Sequence, residues 1–574
     1  MAKYRYYALA ALSGLLLSLA YSGWSFDLGW LVWIGFVPLF WSLAQIVSEY
    51  EHTRKRFGFL IGFIAGLVYF LIIFRWFWSI YPLDTLGIEN RSISFVAVLL
   101  VYLISSAGMA VFWGLFGAGF RFQVSGFRFQ NGSSTWHLAP GTWHPLLILS
   151  ALFVLFEYLR SWGFGFLWAG SNSLFGPHWT LGNLAYALAD NPLALKLASF
   201  VGVYGVTFAI IFINCLIFII LKKRTYLVTT RIVLVVLILL LATFGTRLIK
   251  FTATQQEKSK QVNFAIIQTA RPTKVLPSPQ ETLADLKEQL ELLDRVAKEH
   301  PESQLIVFPE TSDLFKNIAL FLTPVQAQEY FSNLFEDPKL IIAGGRVIDS
   351  NSSAYSRVFD LNTQNGIINY YDKRLLTPGG EFLPYPVKLI AWIFSKTTAN
   401  QFDSLRELNV GVKDVSTVNF RDQFKVAPMI CSELLSPSLV KQTSQSSDVI
   451  VSMASYGIFH GNPVIAKQML ATTRFRAIEN TKPAVTAANL GRSYAIDSRG
   501  KVAYLAANSD PQILTGSIVL GSGKSWYNRV GDLPIILVSL LLMVLGFRLQ
   551  VSGYRGRIKS WLWRNQEIKN GKFL

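Results

Sequence analysis

The sequence predicts a polytopic α-helical membrane protein of about eight spans that carries an extracytoplasmic α/β domain. Three observations support this fold class. The 574 residues are 52% hydrophobic, with a mean hydropathy of +0.37, which is too apolar for a soluble chain of this length. Long apolar runs occupy the first 250 residues, and one more lies near the C-terminus. Between them, short β-runs alternate with helical segments.

Eight apolar runs are long enough to cross a bilayer. They fall at residues 6–24, 28–48, 57–80, 94–118, 145–162, 197–221, 231–249 and 531–548. The first run follows Lys3 and Arg5 and could be misread as a cleaved signal peptide. It lacks a clear small-x-small cleavage site, and an even number of spans requires it, so we treat it as a retained helix.

Most of the net charge of +18 lies in the predicted membrane part. Residues 251–526 hold 28 Lys and Arg against 26 Asp and Glu, a net charge of +2, whereas the rest of the chain holds 25 against 9, a net charge of +16. This distribution argues against nucleic acid as a partner. Because basic loops stay in the cytoplasm, eight spans put both termini inside and 251–526 in the periplasm of a bacterial inner membrane.

Three domains follow from this topology: seven spans over 1–250, an α/β domain over 251–526, and a final span with a basic tail over 527–574. Glu157 and Arg160 lie near the outer end of the fifth span, where charges are costly, so they form either a functional pair or an interfacial one. The stretch 163–196 is rich in Gly, Asn and aromatic residues and is predicted to be a re-entrant or surface loop on the outer face.

Residues 251–526 are long enough to bury one layered core. Helices are predicted at Glu281–Glu299 and Pro463–Glu479. The predicted strands are Val262–Thr269, Leu305–Phe308, Leu340–Ala343, Ile367–Tyr371, Val426–Cys431, Val449–Ser452 and Ala484–Ala488. In such domains the chemistry gathers where strands end.

Three ionisable residues lie at predicted strand ends: Glu310, Lys373 and Cys431. A thiol is only slightly ionised at neutral pH, so a thiol nucleophile needs a base and a cation nearby. Glu310 could take the proton, and Lys373 could stabilise the thiolate and then an oxyanion. Taken singly, each charge is more often a surface group and Cys431 a buried structural thiol. Cys215, in an apolar run, is expected to be a small buried hydrophobe.

The segments around these three residues resemble the nitrilase superfamily, and with the spans they resemble its membrane branch, the apolipoprotein N-acyltransferases. The matching motifs are Phe308-Pro309-Glu310, Tyr371-Asp372-Lys373-Arg374-Leu375-Leu376-Thr377-Pro378-Gly379-Gly380-Glu381, Ile430-Cys431-Ser432-Glu433, Arg474–Glu479, Tyr527–Gly531, Glu157–Trp162 and Gly202–Val206. The resemblance implies an αββα sandwich, a Glu310–Lys373–Cys431 triad, and Glu381 and Glu433 as supporting residues.

The sequence departs from the family pattern in three places. Ser432 stands where the family has tyrosine, Ala454–Phe459 replaces its Asn-Asp-x-Trp-Phe, and Pro272–Pro279 lacks the tryptophan expected after the first strand. All three places surround the family's acyl pocket, so the resemblance makes Ser432, Tyr456 and Phe459 candidates for the substrate pocket.

The implied activity is a ping-pong acyl transfer from a membrane phospholipid, through a Cys431 thioester, to the N-terminal amine of diacylglyceryl apolipoproteins. No cofactor is implied. No metal is expected, because the six histidines form no cluster with cysteine at ligand spacing. Two alternatives stay open: a membrane-anchored nitrilase-type amidase acting on a small amide, and a Cys431–His460 peptidase or catalytically silent lipid-binding relative.

Overall fold

The computed structural model describes residues 2–21, 23–24, 26–49, 54–86, 88–124, 144–222, 232, 234–235, 260–272, 277–394, 407–412, 417–521 and 523–548. The first part of the chain is helical. Its helices are α1 (Ala2–Ala20), α2 (Val37–Glu49), α3 (Arg54–Ile73), α4 (Arg91–Val124), α5 (His144–Leu167) and α6 (Pro192–Lys222). Short 3₁₀ turns lie between them at Gly29–Trp33, Arg75–Ile80, Leu83–Leu86 and Leu184–Leu188.

Four helices in the described ranges are long and apolar enough to cross a membrane, and they lie in α3, α4, α5 and α6. Two shorter apolar helical stretches, Gly29–Gln45 and Leu533–Arg548, coincide with the second and eighth predicted spans. The seventh, 231–249, falls almost entirely outside the described residues. Membrane-type helices are therefore confirmed, while the number of spans and their orientation remain predictions.

The third predicted span, 57–80, is too long. Helix α3 ends at Ile73, and Arg75–Ile80 forms a 3₁₀ turn. Arg75 donates to the carbonyl oxygens of Ile72 and Gly23, at 3.1 and 3.2 Å, and its guanidinium lies 4.0 Å from the Trp24 ring centroid. A charged side chain anchored in this way ends the apolar run before the helix could continue.

The second part of the chain forms two six-stranded sheets. Its strands are β1 (Gln261–Gln268), β2 (Leu305–Val307), β3 (Leu340–Ile348), β4 (Ala354–Asn362), β5 (Gly366–Asp372), β6 (Val418–Phe420), β7 (Phe424–Ile430), β8 (Val449–Ser455), β9 (Ala484–Asn489), β10 (Tyr494–Ile496), β11 (Val502–Leu505) and β12 (Gln512–Val519). The strand order is β12-β1-β2-β3-β4-β5 in one sheet and β11-β10-β9-β8-β7-β6 in the other. One apolar cluster joins the facing sides of both sheets.

Helices cover the outer face of each sheet. The helices in this part of the chain are α7 (Pro279–Glu299), α8 (Leu314–Ile318), α9 (Pro324–Leu334), α10 (Tyr385–Phe394), α11 (Pro437–Ser444), α12 (Pro463–Asn480), α13 (Trp526–Val530) and α14 (Leu533–Arg548). Helices α7 to α9 pack on the first sheet. Helices α11 and α12 share one apolar cluster with the second sheet and with α1 to α6. The predicted α/β domain is therefore layered as helix, sheet, sheet, helix, and one of its outer layers lies against the membrane-type helices.

The directions of the strands bring the predicted site residues to the same end of the two sheets. Strands β1, β2 and β3 run parallel, and so do β7, β8 and β9. Strand β5 is antiparallel to β4, which is antiparallel to β3, so β5 finishes at the same end of the sheet as β3. The three predicted site residues lie just past the strands at this end: Glu310 after β2, Lys373 after β5 and Cys431 after β7.

Candidate active site

Cys431 begins a sharp turn directly after β7. Its φ of +43° lies in the left-handed region, which few residues other than glycine adopt. The Glu433 carboxylate accepts the backbone N–H groups of Ile430 and Arg374, both at 2.8 Å, and the hydroxyl of Tyr371. Glu433 thereby ties the end of β7 to the residues that follow β5.

Lys373 is 1% exposed and lies between two carboxylates. Its Nζ is 2.9 Å from Oε1 of Glu310 and 2.9 Å from Oε1 of Glu381. The other oxygen of Glu381 accepts the backbone N–H of Thr377 at 2.7 Å. Glu381 therefore holds the Lys373 ammonium from one side, and Glu310 contacts it from the other.

Glu310 is held by tight backbone packing. A Cβ atom at Gly344 would lie 2.7 Å from the Glu310 carbonyl oxygen, so only glycine allows β3 to pass this close. The backbone N–H of Ser455, at the end of β8, lies close enough to the Glu310 carboxylate and the Cys431 sulfur to lower the pKa of each. The structure thus brings the three predicted residues together.

Burial and charge set the protonation states of the site. Burial, together with the Glu310 charge, raises the pKa of Cys431 to about 12, although Lys373 and the Ser455 N–H oppose the shift. Burial also raises the pKa of Glu310, against the effect of Lys373. Burial alone would lower the pKa of Lys373, but the Glu310 and Glu381 carboxylates raise it overall. At neutral pH the resting thiol is therefore protonated and Lys373 is charged.

Sequence reasoning missed a hydrogen-bonded hub behind the triad. Asn489, 1% exposed, accepts from Thr269 Oγ1 at 2.9 Å and from the Arg271 N–H at 2.8 Å. Its amide donates to the Arg271 carbonyl at 2.9 Å and to Ser455 Oγ at 3.1 Å. Thr311 Oγ1, next to Glu310, donates to the same Ser455 oxygen at 3.3 Å. The hub joins the two sheets and fixes the Ser455 peptide that faces the thiol.

A cavity of about 1000 Å³ opens from the triad in two directions. One part, which we call the apolar limb, runs between the membrane-type helices and is lined by Phe74, Trp76, Phe77, Ile80, Val98, Val101, Met109, Arg160, Phe164, Trp179 and Leu181. The other part, the polar limb, lies within the α/β domain and is lined by Arg271, Glu281, Asp285, Asp313, Lys316 and Arg346. Trp179 and Leu181 belong to the stretch 163–196, so this stretch lines the cavity.

The three predicted pocket residues all line this cavity. Ser432 donates its hydroxyl to the Leu375 carbonyl at 2.6 Å. Tyr456 packs so closely on Gly491 that a Cβ atom there would lie 2.4 Å from its ring. Phe459 meets Trp76 edge to face, with ring centroids 5.2 Å apart. The influence of these residues on substrate choice remains a prediction.

The structure disfavours two of the alternatives that the sequence left open: a Cys431–His460 pair, and an interfacial position for Glu157 and Arg160. The His460 ring contacts the carbonyl oxygen of Ser79, and the acid beside the thiol is Glu310, which disfavours a Cys431–His460 pair. Glu157 and Arg160 are 1% exposed and form a buried ion pair rather than an interfacial one. Cys215 is buried, as predicted. Over the residues described, no group of three His, Cys, Asp or Glu side chains is arranged to hold a metal ion.

Two family models match the chain: the apolipoprotein N-acyltransferase N-terminal domain over residues 13–216 and carbon-nitrogen hydrolase over residues 264–528. The apolipoprotein N-acyltransferase of Geobacter metallireducens is 25% identical over 541 residues, which cover 92% of each chain. That of Shewanella oneidensis is 24% identical over 70% of this chain and 73% of its own. That of Haemophilus influenzae is 24% identical over 69% of this chain and 73% of its own. The first model falls on the helical part, and the second on the two sheets.

Proposed function

We propose that this chain, which belongs to the apolipoprotein N-acyltransferase family, transfers an acyl chain from a membrane phospholipid to the N-terminal amine of diacylglyceryl-cysteine apolipoproteins. Cys431 is the nucleophile, Glu310 the general base and Lys373 the electrostatic stabiliser. One observation carries the proposal: the triad opens into an apolar limb between membrane-type helices. A small amide would need no such limb, whereas an acyl chain does.

In the first half-reaction, the Cys431 sulfur attacks an ester carbonyl of the phospholipid. The thiol is protonated at rest because burial raises its pKa to about 12, so Glu310 takes the proton as the carbon–sulfur bond forms. The Lys373 ammonium lies 2.9 Å from Glu310 and balances the charge that builds on the carbonyl oxygen. Glu310 returns the proton to the leaving oxygen, and a lysophospholipid departs from the thioester.

In the second half-reaction, the free amine of the apolipoprotein attacks the thioester. Glu310 accepts a proton from the amine as the carbon–nitrogen bond forms, and it passes this proton to the Cys431 sulfur as the carbon–sulfur bond breaks, which returns the thiol. Lys373 stabilises the same oxygen again, since the two tetrahedral intermediates place it alike. Glu381 and Glu433 act by position, because one fixes the ammonium and the other fixes the turn at Cys431.

This function fixes a topology for the chain. Both substrates are anchored in a bilayer by acyl chains, so the triad must lie near a membrane surface. We place residues 251–526 in the periplasm, after seven spans over 1–250 and before a final span over 527–574. The basic residues outside 251–526 support cytoplasmic termini.

A Cys431→Ser substitution tests the proposal. Serine has nearly the same volume but is a much weaker nucleophile without further activation. N-acylation of a diacylglyceryl lipopeptide in phospholipid vesicles should fall at least on the order of a hundredfold. A Cys215→Ser variant, which changes the other cysteine of the chain, should keep wild-type activity. Transfer by Cys431→Ser at the wild-type rate would overturn the assignment of the nucleophile.

A further inference from the structure

The apolar limb has a closed end along α4. The α4 residues that line it, from the end nearest Arg91, are Ala97, Val98, Val101 and Met109. At a rise of 1.5 Å per residue, Met109 lies about 18 Å along the helix axis from Ala97. Met109 is 1% exposed, and its terminal methyl lies 3.7 Å from where a Cβ atom of Gly163 on α5 would be. The side chain therefore bridges the gap between α4 and α5.

A block of aromatic rings lies one helical turn beyond Met109. Its centre is Trp113, which is 1% exposed and does not line the cavity. Four rings surround Trp113 with centroid distances between 5.0 and 5.9 Å: Phe36, Tyr69, Phe70 and Phe153. On α4 the lining of the limb therefore ends at Met109, and the packed rings around Trp113, the Trp113 block, lie beyond it.

The polar groups beside this end are already satisfied. Arg160 donates from Nε and Nη2 to Glu157, at 3.0 Å each, and from Nη1 to the Leu181 carbonyl at 2.9 Å. The Trp113 indole N–H donates to the same Glu157 carboxylate at 3.2 Å. Since the Arg160 charge is paired with Glu157 and these donors have partners, they leave no unpaired charge to bind a phosphate, and the closed end suits the methyl end of a hydrocarbon chain.

We propose that Met109, seated on the Trp113 block, is the floor of the acyl-chain site and sets the longest chain that the enzyme takes from a phospholipid. The inference rests on the proposed function and deepens it by naming a specificity-determining residue. A chain that reaches the floor buries all its methylenes, while a longer chain must leave some of them outside or displace the Met109 side chain.

Substitutions that remove or add side-chain volume at residue 109 test the floor. Met109→Ala removes side-chain volume at the closed end and should shift preference to longer chains, whereas Met109→Phe adds volume and should shift it to shorter ones. Each methylene gained or lost at an apolar site changes binding about fourfold. The amount of the longest chain transferred, divided by the amount of the shortest, should therefore rise by roughly tenfold or more in Met109→Ala and fall by roughly tenfold or more in Met109→Phe.

The measurement uses the full-length enzyme in vesicles that hold an equimolar series of saturated phosphatidylethanolamines differing only in chain length. Intact-protein mass spectrometry reads the distribution of acyl chains on Cys431. Val111 lies on α4 at 37% exposure and does not line the cavity, so Val111→Ala and Val111→Phe serve as matched controls and should keep the wild-type distribution. If Met109→Phe fails to accumulate, Met109→Ala alone decides, because it only removes atoms.

The outcomes separate the two levels of the proposal. A wild-type distribution in the Met109→Ala variant would overturn the floor while leaving the transferase intact. A wild-type enzyme that acquires no acyl adduct from any phospholipid would overturn the proposed function and the floor together.

Discussion

Cys431 holds its backbone at φ +43°, where a side chain normally crowds its own carbonyl. Such strain persists only when the surroundings impose it. Here the Glu433 carboxylate imposes it by binding the Ile430 and Arg374 N–H groups on either side of the site. The result is a thiol directed to Glu310 and Lys373 rather than into the strand.

A Glu310→Gln substitution should change two rates in opposite directions. The Glu310 charge helps to raise the pKa of Cys431, so its removal should lower that pKa and speed alkylation of the thiol by a small reagent at alkaline pH. A drop of one pKa unit raises the thiolate fraction about tenfold. Thioester formation from phospholipid at neutral pH should instead fall by roughly 10²–10⁴, since the general base is lost.

Both rates are measured across pH by mass spectrometry of Cys431. Glu288→Gln is a suitable control, because Glu288 pairs with Arg271 at 3.0 Å and does not line the cavity. If Glu310→Gln slowed alkylation and acylation alike, Glu310 would be a structural support and not the base.

At this scale the sequence predicts Glu310, Lys373 and Cys431, because each lies in a short motif at a strand end. It does not predict Ser455, whose contribution is a backbone N–H with no side-chain signature. It also does not predict Asn489, whose partners Thr269 and Arg271 follow β1 of the other sheet, 220 and 218 residues away. Only the folded topology brings such groups together.

Helices α3 and α4 approach so closely that their backbones touch. A Cβ atom at Gly62 would lie 2.1 Å from the Trp113 carbonyl oxygen, and one at Gly58 would lie 2.6 Å from that of Gly117. Small residues permit this contact where two helices pack in a membrane. The contact also positions Trp113, which closes the apolar limb.

A Gly62→Ala substitution should destabilise this helix pair. The added methyl meets rigid backbone, so the helices must separate, at a cost of about 1–3 kcal/mol. Thermal unfolding in detergent should report a lower midpoint than wild type. Gly119→Ala on α4 is the control, because its nearest neighbour is the flexible end of Leu152 at 3.1 Å. Equal midpoints for the two variants would contradict the close-contact account.

At the scale of elements, the sequence predicts the parallel strands better than the strands that pair only antiparallel. Strands β1, β2, β3 and β7 to β9 are apolar runs that the sequence predicts, and β5 is predicted as well, whereas β4, β6, β10, β11 and β12 are not. Strand β12 reads as a weak apolar run because it is half exposed at an edge. Its pairing with β1, some 250 residues earlier, stabilises it, and local sequence does not encode that pairing.

The whole molecule is joined at a buried contact between α12 and α6. Helix α6 breaks at Gly202, whose φ is +66°. The break frees the N–H of Val203, and the Glu479 carboxylate accepts it at 2.9 Å. Arg476 pairs with the same carboxylate at 3.0 Å and donates to the Tyr186 hydroxyl at 2.9 Å. A catalytic domain fixed in this way keeps the triad in register with the apolar limb.

Single cysteines test the proposed topology in a Cys215→Ser, Cys431→Ser background. Ser352 is exposed at the turn between β3 and β4, so Ser352→Cys should react with an impermeant thiol reagent in intact spheroplasts. His144 is exposed at the start of α5, on the side assigned to the cytoplasm, so His144→Cys should react only after the membrane is permeabilised. The reverse pattern would put the catalytic domain in the cytoplasm and exclude the proposed substrate.

The claim that Cys431 carries the acyl chain between two lipids is tested most directly by the mass of the intact enzyme. After incubation with phospholipid alone, the protein should gain the mass of one acyl chain on Cys431. The adduct should be lost to neutral hydroxylamine and, with formation of the N-acylated product, to a diacylglyceryl lipopeptide. A free Cys431 thiol after prolonged incubation with phospholipid, in an enzyme that still acylates the lipopeptide, would contradict the account.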